Sequence, residues 1–147
     1  MNKRGIVFIL FNLLLPIQAA PAGEMSGDLT LQIGGFPNDH GQVIANLFRE
    51  GDDVMKIDKA YLQTRGTISG NRAQVVFKNL KYGKYAVTAF HDENGNGKLD
   101  HNLLHLPAEP LGFSSNFHMG IFTGLPSFEK LQFEFAPGAE SVSILVK

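Results

Sequence analysis

Apolar and polar residues alternate along most of this chain with a period of two, the repeat of a strand that turns one face to a core. Leu29, Leu31 and Ile33 alternate with Thr30 and Gln32, and Gly34-Gly35 with Pro37-Asn38-Asp39 ends the run with turn chemistry. Alternation resumes from Gly41 to Arg49, with Val43, Ala45 and Leu47 on one face. Glu50 to Leu62 shows no clear period and predicts a short helix or an irregular crossing. A strand is expected over Thr64–Ile68, a turn at Ser69-Gly70-Asn71, and a strand over Ala73–Leu80 with Val75 and Phe77 facing inward. Lys81-Tyr82-Gly83-Lys84 then makes a tight connection into Tyr85–His91. That segment carries Tyr85, Val87 and Ala89 on one face and Ala86, Thr88 and Phe90 on the other, which places it at the centre of a sheet. Leu131, Phe133 and Phe135 alternate again, Pro137-Gly138 turns the chain, and Val142, Ile144 and Val146 form a last strand.

About seven short strands and little helix predict an all-β fold, an antiparallel sandwich of immunoglobulin-like or transthyretin-like type. One stretch leaves the pattern: Asp92 to Phe128, rich in Gly, Pro, Asn and His. A connection this long is functional or carries structure of its own. A sandwich collects its loops at two ends, where binding residues tend to lie. No repeat, low-complexity tract or linker divides residues 23–147, so they are expected to form a single domain.

The first segment follows a different rule. Lys3 and Arg4 precede an apolar run from Gly5 to Leu15, Pro16 breaks it, and Ala20-Pro21-Ala22 offers small residues for cleavage. This is the layout of a secretory signal peptide, expected over residues 1–22. The run is short against the roughly 20 residues of a membrane span. The competing reading is a buried N-terminal helix. Export predicts a periplasmic or secreted product with no stable membrane anchor once the leader is removed.

Composition narrows the chemistry. The 147 residues include 12 Phe and no Cys, and the formal net charge is −1. Length and apolar content suit one globular domain. The lack of Cys excludes a disulfide framework, a thiolate metal site, a cysteine nucleophile and lipid attachment through Cys. The absence of a basic surplus argues against nucleic acid as a partner.

The run Asp92-Glu93-Asn94-Gly95-Asn96-Gly97-Lys98-Leu99-Asp100 matches the first nine positions of an EF-hand calcium loop. Asp92, Asn94 and Asn96 would supply side-chain oxygens, Lys98 its backbone carbonyl, and Asp100 a carboxylate, directly or through water. Gly97 stands where the loop needs a permissive backbone. Ca²⁺ takes six to eight oxygen ligands, and spaced oxygens along one loop provide them. The twelfth position, a bidentate Glu in that motif, is Leu103 here, and a strand enters where a helix would. Glu109 or a backbone carbonyl could fold back to replace the missing ligand. With two firm carboxylates the expected affinity is weak, near the extracellular range of roughly 10⁻⁴–10⁻³ M. An Asn-Gly-rich turn without metal is the competing reading.

Other constellations are thinner. His101 and His105 are four apart, and His91 and His118 could approach them to hold Zn²⁺, although loop histidines more often face water. His91 ends a strand just before the candidate loop and is expected to pack or hydrogen-bond there. Ser114, Ser115 and Ser127 lie near Gly residues without forming a Gly-x-Ser-x-Gly elbow. Asp92, Glu93 and Asp100 could imitate a glycosidase carboxylate pair, but ligation or solvation explains them more simply. Phe113, Phe117, Phe122 and Phe128 would form a satellite core beneath the long loop, or an exposed surface for a sugar or peptide.

Three segments carry a resemblance to a known group. They are Gly41–Phe48, then Phe77-Lys78-Asn79-Leu80 and Gly83–Val87 running into Phe90–Asp100, and finally Gly112–Asn116 with Pro126–Glu129. Together they resemble the bacterial family of exported proteins catalogued as domain of unknown function 2141, across about Asp28 to Lys147. The resemblance implies an exported β-sandwich and no established activity. The passage from Asn79 to Tyr85 is also similar to transthyretin-like and carboxypeptidase-regulatory-like modules, which are mostly accessory or binding domains. After Asp100 the family continues with an aromatic-glycine stretch, where this chain has His101-Asn102-Leu103-Leu104-His105. The expected function is a non-catalytic exported binding or accessory protein with an unknown envelope or extracellular ligand, its long loop stabilised by Ca²⁺. A carbohydrate- or peptide-binding adhesion module is the second reading, and a small hydrolase the third.

Overall fold

The computed structural model describes residues 25–147. The expected leader over residues 1–22 lies outside them. Eight strands occur in order: β1 (Ser26–Gly34), β2 (Gln42–Arg49), β3 (Leu62–Gly66), β4 (Arg72–Lys81), β5 (Gly83–Asp92), β6 (Leu111–Phe113), β7 (Phe133–Phe135) and β8 (Ser141–Leu145). They form a three-stranded sheet in the order β4-β1-β8 and a five-stranded sheet in the order β3-β2-β5-β6, with β7 also on β5. The expected all-β sandwich is present, with one strand beyond the seven read from the pattern. Every ladder is antiparallel except β1 with β8, which is parallel. β8 reaches β1 from the opposite sheet, so no hairpin dictates its direction.

The alternating residues meet between the sheets. Leu29, Leu31 and Ile33 of β1, Val75 and Phe77 of β4, and Ile144 of β8 face Val43, Ala45 and Leu47 of β2 and Val87 and Ala89 of β5. β4 and β5 are consecutive yet belong to different sheets, so the tight connection at Tyr82 is a corner between layers rather than a hairpin. Tyr82 anchors it. Its ring packs 4.7 Å from that of Phe135, and its hydroxyl donates to Glu140 at 2.8 Å.

The outer face of the five-stranded sheet is covered too, which explains why β5 is apolar on both sides. Phe48 and Ala86 from that face pack with Val54, Phe113, Phe128 and Leu131 in a second cluster. Leu131, which the alternation assigns to a strand, instead closes a one-turn helix, α1 (Phe128–Leu131), and is fully buried in that cluster. The unclear stretch after β2 holds a 3₁₀ turn at Ile57–Lys59. Among the described residues no helix is long and apolar enough to cross a membrane.

One end of the sandwich is tied by carboxylates. Asp39 accepts the backbone N–H groups of Gly70 and Asn71, each at 2.7 Å, and Asn71 donates to the Phe36 carbonyl. Those N–H groups hold the Asp39 carboxyl below its usual range, with the Asn71 contribution the larger. At the other end of β1, Asp28 is lowered by Lys78 and by the Asn79 N–H. A depressed folded value means stabilisation that is present above the unfolded value and lost as pH falls through the folded one. Thermal unfolding should therefore show a falling melting temperature on acidification below about pH 4. Asp39→Asn should flatten that fall, and an unchanged acid limb in the variant would refute the assignment.

Candidate functional site

The candidate loop begins where β5 ends. The register pairs Gln42 with Asp92, so Asp92 leaves the sheet beside the start of β2 and is fully buried. Its carboxylate organises the loop. Gln42 Nε2 donates to it at 2.7 Å, the Gly97 N–H at 2.9 Å and the Asn96 N–H at 3.0 Å. Gly97 adopts φ +79°, the left-handed backbone expected of that position, and the Arg65 guanidinium from β3 lies against it. Asn94 and Asn96 turn their amide groups to Asp100, with Nδ2 donating to its carboxylate at 2.6 Å and 3.0 Å. Their amide oxygens are engaged as well, Asn94 Oδ1 accepting the Asn96 N–H at 3.0 Å and Asn96 Oδ1 the Lys98 N–H at 2.7 Å. Asp92, Asn94, Asn96 and Asp100 are thus gathered about one loop, and the Lys98 backbone lies within it.

Glu109 folds back onto this loop from nine residues beyond Asp100. Its two carboxylate oxygens accept the Asp100 N–H at 3.1 Å and the Glu93 N–H at 3.2 Å. Glu93, Asn94, Asp100 and Glu109 line a shared open depression. Burial pushes the Glu109 carboxyl upward, the Asp100 and Glu93 N–H groups hold part of that rise back, and the charges of Asp100 and Asp92 add the smallest upward contributions. Among the described residues no group of three or more His, Asp or Glu side chains is arranged to hold a metal ion. A cation here would therefore rest on carboxylates together with amide and backbone oxygens, a donor set suited to Ca²⁺ rather than Zn²⁺.

A family model described as an uncharacterized protein conserved in bacteria, domain of unknown function 2141, matches residues 31–143. The chain belongs to that family. The match runs from β1 into β8 and includes the whole loop. No curated protein and no solved structure matches the chain.

In this member of the 2141 family the remaining candidates separate. His91 is fully buried at the edge of the main core, edge-on to Phe36 at 5.3 Å, with Nε2 2.7 Å from the His40 carbonyl oxygen. It pins the loop before β2 next to the start of the candidate site. His101 and His105 line one cavity and His118 another. The Ser114 hydroxyl is buried and engaged with backbone: it accepts the Val87 N–H at 2.9 Å and donates to the Leu131 carbonyl at 2.6 Å. Ser115 donates to the Leu131 and Gln132 carbonyls. Ser114 thereby ties the end of α1 to β5, and Ser115 holds the same end of α1.

The four phenylalanines divide. Phe113 and Phe128 are buried in the second cluster and Phe117 packs against it, whereas Phe122 is fully exposed. Phe122 stands beside exposed Ile121 on a turn closed by the Gly124 N–H donating to the Gly120 carbonyl. Leu103 and Leu104 are likewise exposed on a turn between His101 and Pro107, where Asn102 Oδ1 accepts the N–H groups of Leu104 and Leu106. Gln42, Arg65 and Asn38, whose Nδ2 donates to Glu93 at 2.8 Å, join the site from distant parts of the chain. Nothing in their local sequence marks them, since strand register brings Gln42 and Arg65 to the loop and the turn between β1 and β2 brings Asn38.

Proposed function

We propose that this protein is an exported, non-catalytic β-sandwich of the periplasm or extracellular space, and that its long excursion binds a partner. In this reading Ca²⁺ is held by Asp92, Asn94, Asn96, the Lys98 carbonyl and Asp100. The cation stiffens the start of the excursion and so sets the orientation of the segment beyond Asp100. The observation that supports the reading is Glu109, whose carboxylate folds back to accept the Glu93 and Asp100 N–H groups and, in this reading, replaces the missing twelfth-position ligand. A cation would offset the crowding of Glu109 with Asp92 and Asp100. The apolar turns at Leu103-Leu104 and Ile121-Phe122 supply the partner surface, because exposed apolar clusters mark interaction sites. The exposed Phe122 also favours a second reading, a peptide-binding adhesion module in which the cation is incidental. Export rests on the leader-like layout of residues 1–22.

Calcium titration by calorimetry and by thermal melting against chelator tests the metal. The expected result is saturable binding near 10⁻⁴–10⁻³ M, with the stability gain that mass action gives a folded-state ligand, about 2.7 kcal/mol at one hundred times Kd. Asp92→Ala should abolish both signals, and Glu109→Gln should weaken binding without unfolding the protein. No heat and no shift up to about 10 mM would remove calcium from the reading.

A further inference from the structure

Two Asn-Gly pairs occur in the sequence, Asn94-Gly95 and Asn96-Gly97, and both lie in the candidate loop. In such a pair the glycine backbone nitrogen can attack the preceding side-chain amide, because glycine has no Cβ to hold the two apart. The nitrogen gives its proton to solvent and bonds to Asn Cγ, the Cγ–Nδ2 bond breaks, and ammonia leaves. Water then opens the cyclic imide at either carbonyl, which leaves aspartate or isoaspartate.

The fold treats the two pairs differently. Their side chains have matching contacts. Each Nδ2 donates to Asp100, and each Oδ1 accepts a backbone N–H, that of Asn96 for Asn94 and that of Lys98 for Asn96. The attacking nitrogens are unlike. The Gly97 N–H donates at 2.9 Å to the Asp92 carboxylate, which is fully buried and also held by Gln42. Deprotonating Gly97 would set a second negative charge against that carboxylate. The Arg65 guanidinium also lies against Gly97, 3.2 Å from the place of a Cβ. The Gly95 N–H makes no hydrogen bond among the described residues. Asn94 and Gly95 are exposed, and nothing lies within 4 Å of a Cβ built at Gly95.

We propose that Asn94 is a site of spontaneous deamidation in the folded protein, and that Asn96 is protected by the Asp92 carboxylate. The reactants are the chain itself and water. A hydrogen bond to a charged acceptor must break before Gly97 can react, which slows Asn96 by about tenfold or more. Conversion removes the donor that Asn94 turns to Asp100 at 2.6 Å. The aspartate product carries a third carboxylate beside Asp92 and Asp100, and without a metal it repels Asp100. One consequence rests on the calcium reading above: the converted loop holds the cation more tightly, since the count of charged ligands tunes affinity in such loops.

The test ages protein expressed from the full chain at mildly alkaline pH with excess chelator, so that calcium plays no part. Mass spectrometry of the loop peptide maps conversion over time, and the same chain in concentrated urea is the reference. Conversion should occur at position 94 in the folded protein and at both positions in the unfolded chain. Asp92→Asn keeps the shape and removes the charge, and should speed conversion at Asn96 with the rate at Asn94 unchanged. Equal rates at the two positions in the folded protein would overturn the proposal, as would no conversion at 94 while the unfolded chain converts. An Asn96 rate unchanged in Asp92→Asn would overturn protection by the carboxylate. Calcium titration of Asn94→Asp separates the consequence from the modification. Binding several-fold tighter than in unaged protein supports the coupling, and equal affinity overturns it. No binding by either protein overturns the calcium reading and the coupling with it, and leaves the mapped modification standing.

Discussion

Gly41→Ala is expected to destabilise the protein by about 3–5 kcal/mol, a loss at the severe end for a single methyl group. Gly41 sits at φ +63°, the left-handed region that disfavours a side chain. A Cβ there would overlap the Asp92 carbonyl oxygen and lie 2.6 Å from the Glu93 carbonyl oxygen and 2.7 Å from the Glu93 Cα. All three atoms are backbone, so no rotamer change relieves the contact. The entry to β2 would have to part from the exit of β5, at the point where the candidate loop is rooted. Gly70→Ala is the control, since Gly70 has φ +60° but nothing within 4 Å of a Cβ. It should cost only about 1 kcal/mol, the conformational term alone. Urea unfolding measures both, as a shifted midpoint at constant slope. In the Gly41 variant the Asn96 and Gly97 amides should also exchange faster. Equal costs at the two glycines would show that the close approach does not constrain the loop.

Phe48→Ala should cost about 3–5 kcal/mol, the usual range for emptying an aromatic core position, and the loss should be local in character. Phe48 is fully buried, but on the outer face of the five-stranded sheet, among Val54, Ala86, Phe113, Phe128 and Leu131. These residues hold the excursion and α1 against the sheet. The inter-sheet core of β1, β2, β4, β5 and β8 does not include them. Hydrogen exchange should therefore show protection lost first around β6, Ser114 and α1, with β1 and β4 still protected. Uniform loss across both sheets would mean that the two layers open as one unit.

The pattern of residues carried the strands well where one face met a core. Leu29, Leu31 and Ile33, or Val75 and Phe77, alternate with polar neighbours and are buried as that alternation requires. It was less informative where both faces are covered. β2 is buried continuously from Val43 to Phe48, and Phe48 on its outer face belongs to the second cluster. Leu131 follows the strand period with Phe133 and Phe135, yet it ends a turn of helix because the second cluster takes its side chain. Short three-residue strands such as β6 escape periodicity altogether, being too brief to show a repeat.

The sandwich class and the position of the Asp92–Asp100 loop were legible in the chain itself, since each depends on local spacing, turn chemistry and alternation, and the 2141 family was recognised from the resemblance of particular segments such as Phe90–Asp100. The tertiary structure decided which distant residues complete that loop. Gln42, Arg65 and Glu109 arrive through strand pairing and a fold-back that no short window contains. It also decided that Phe113 and Phe128 are core while Phe122 is surface. Burial is a property of what a segment packs against, and for an excursion without periodicity only the folded chain supplies that partner.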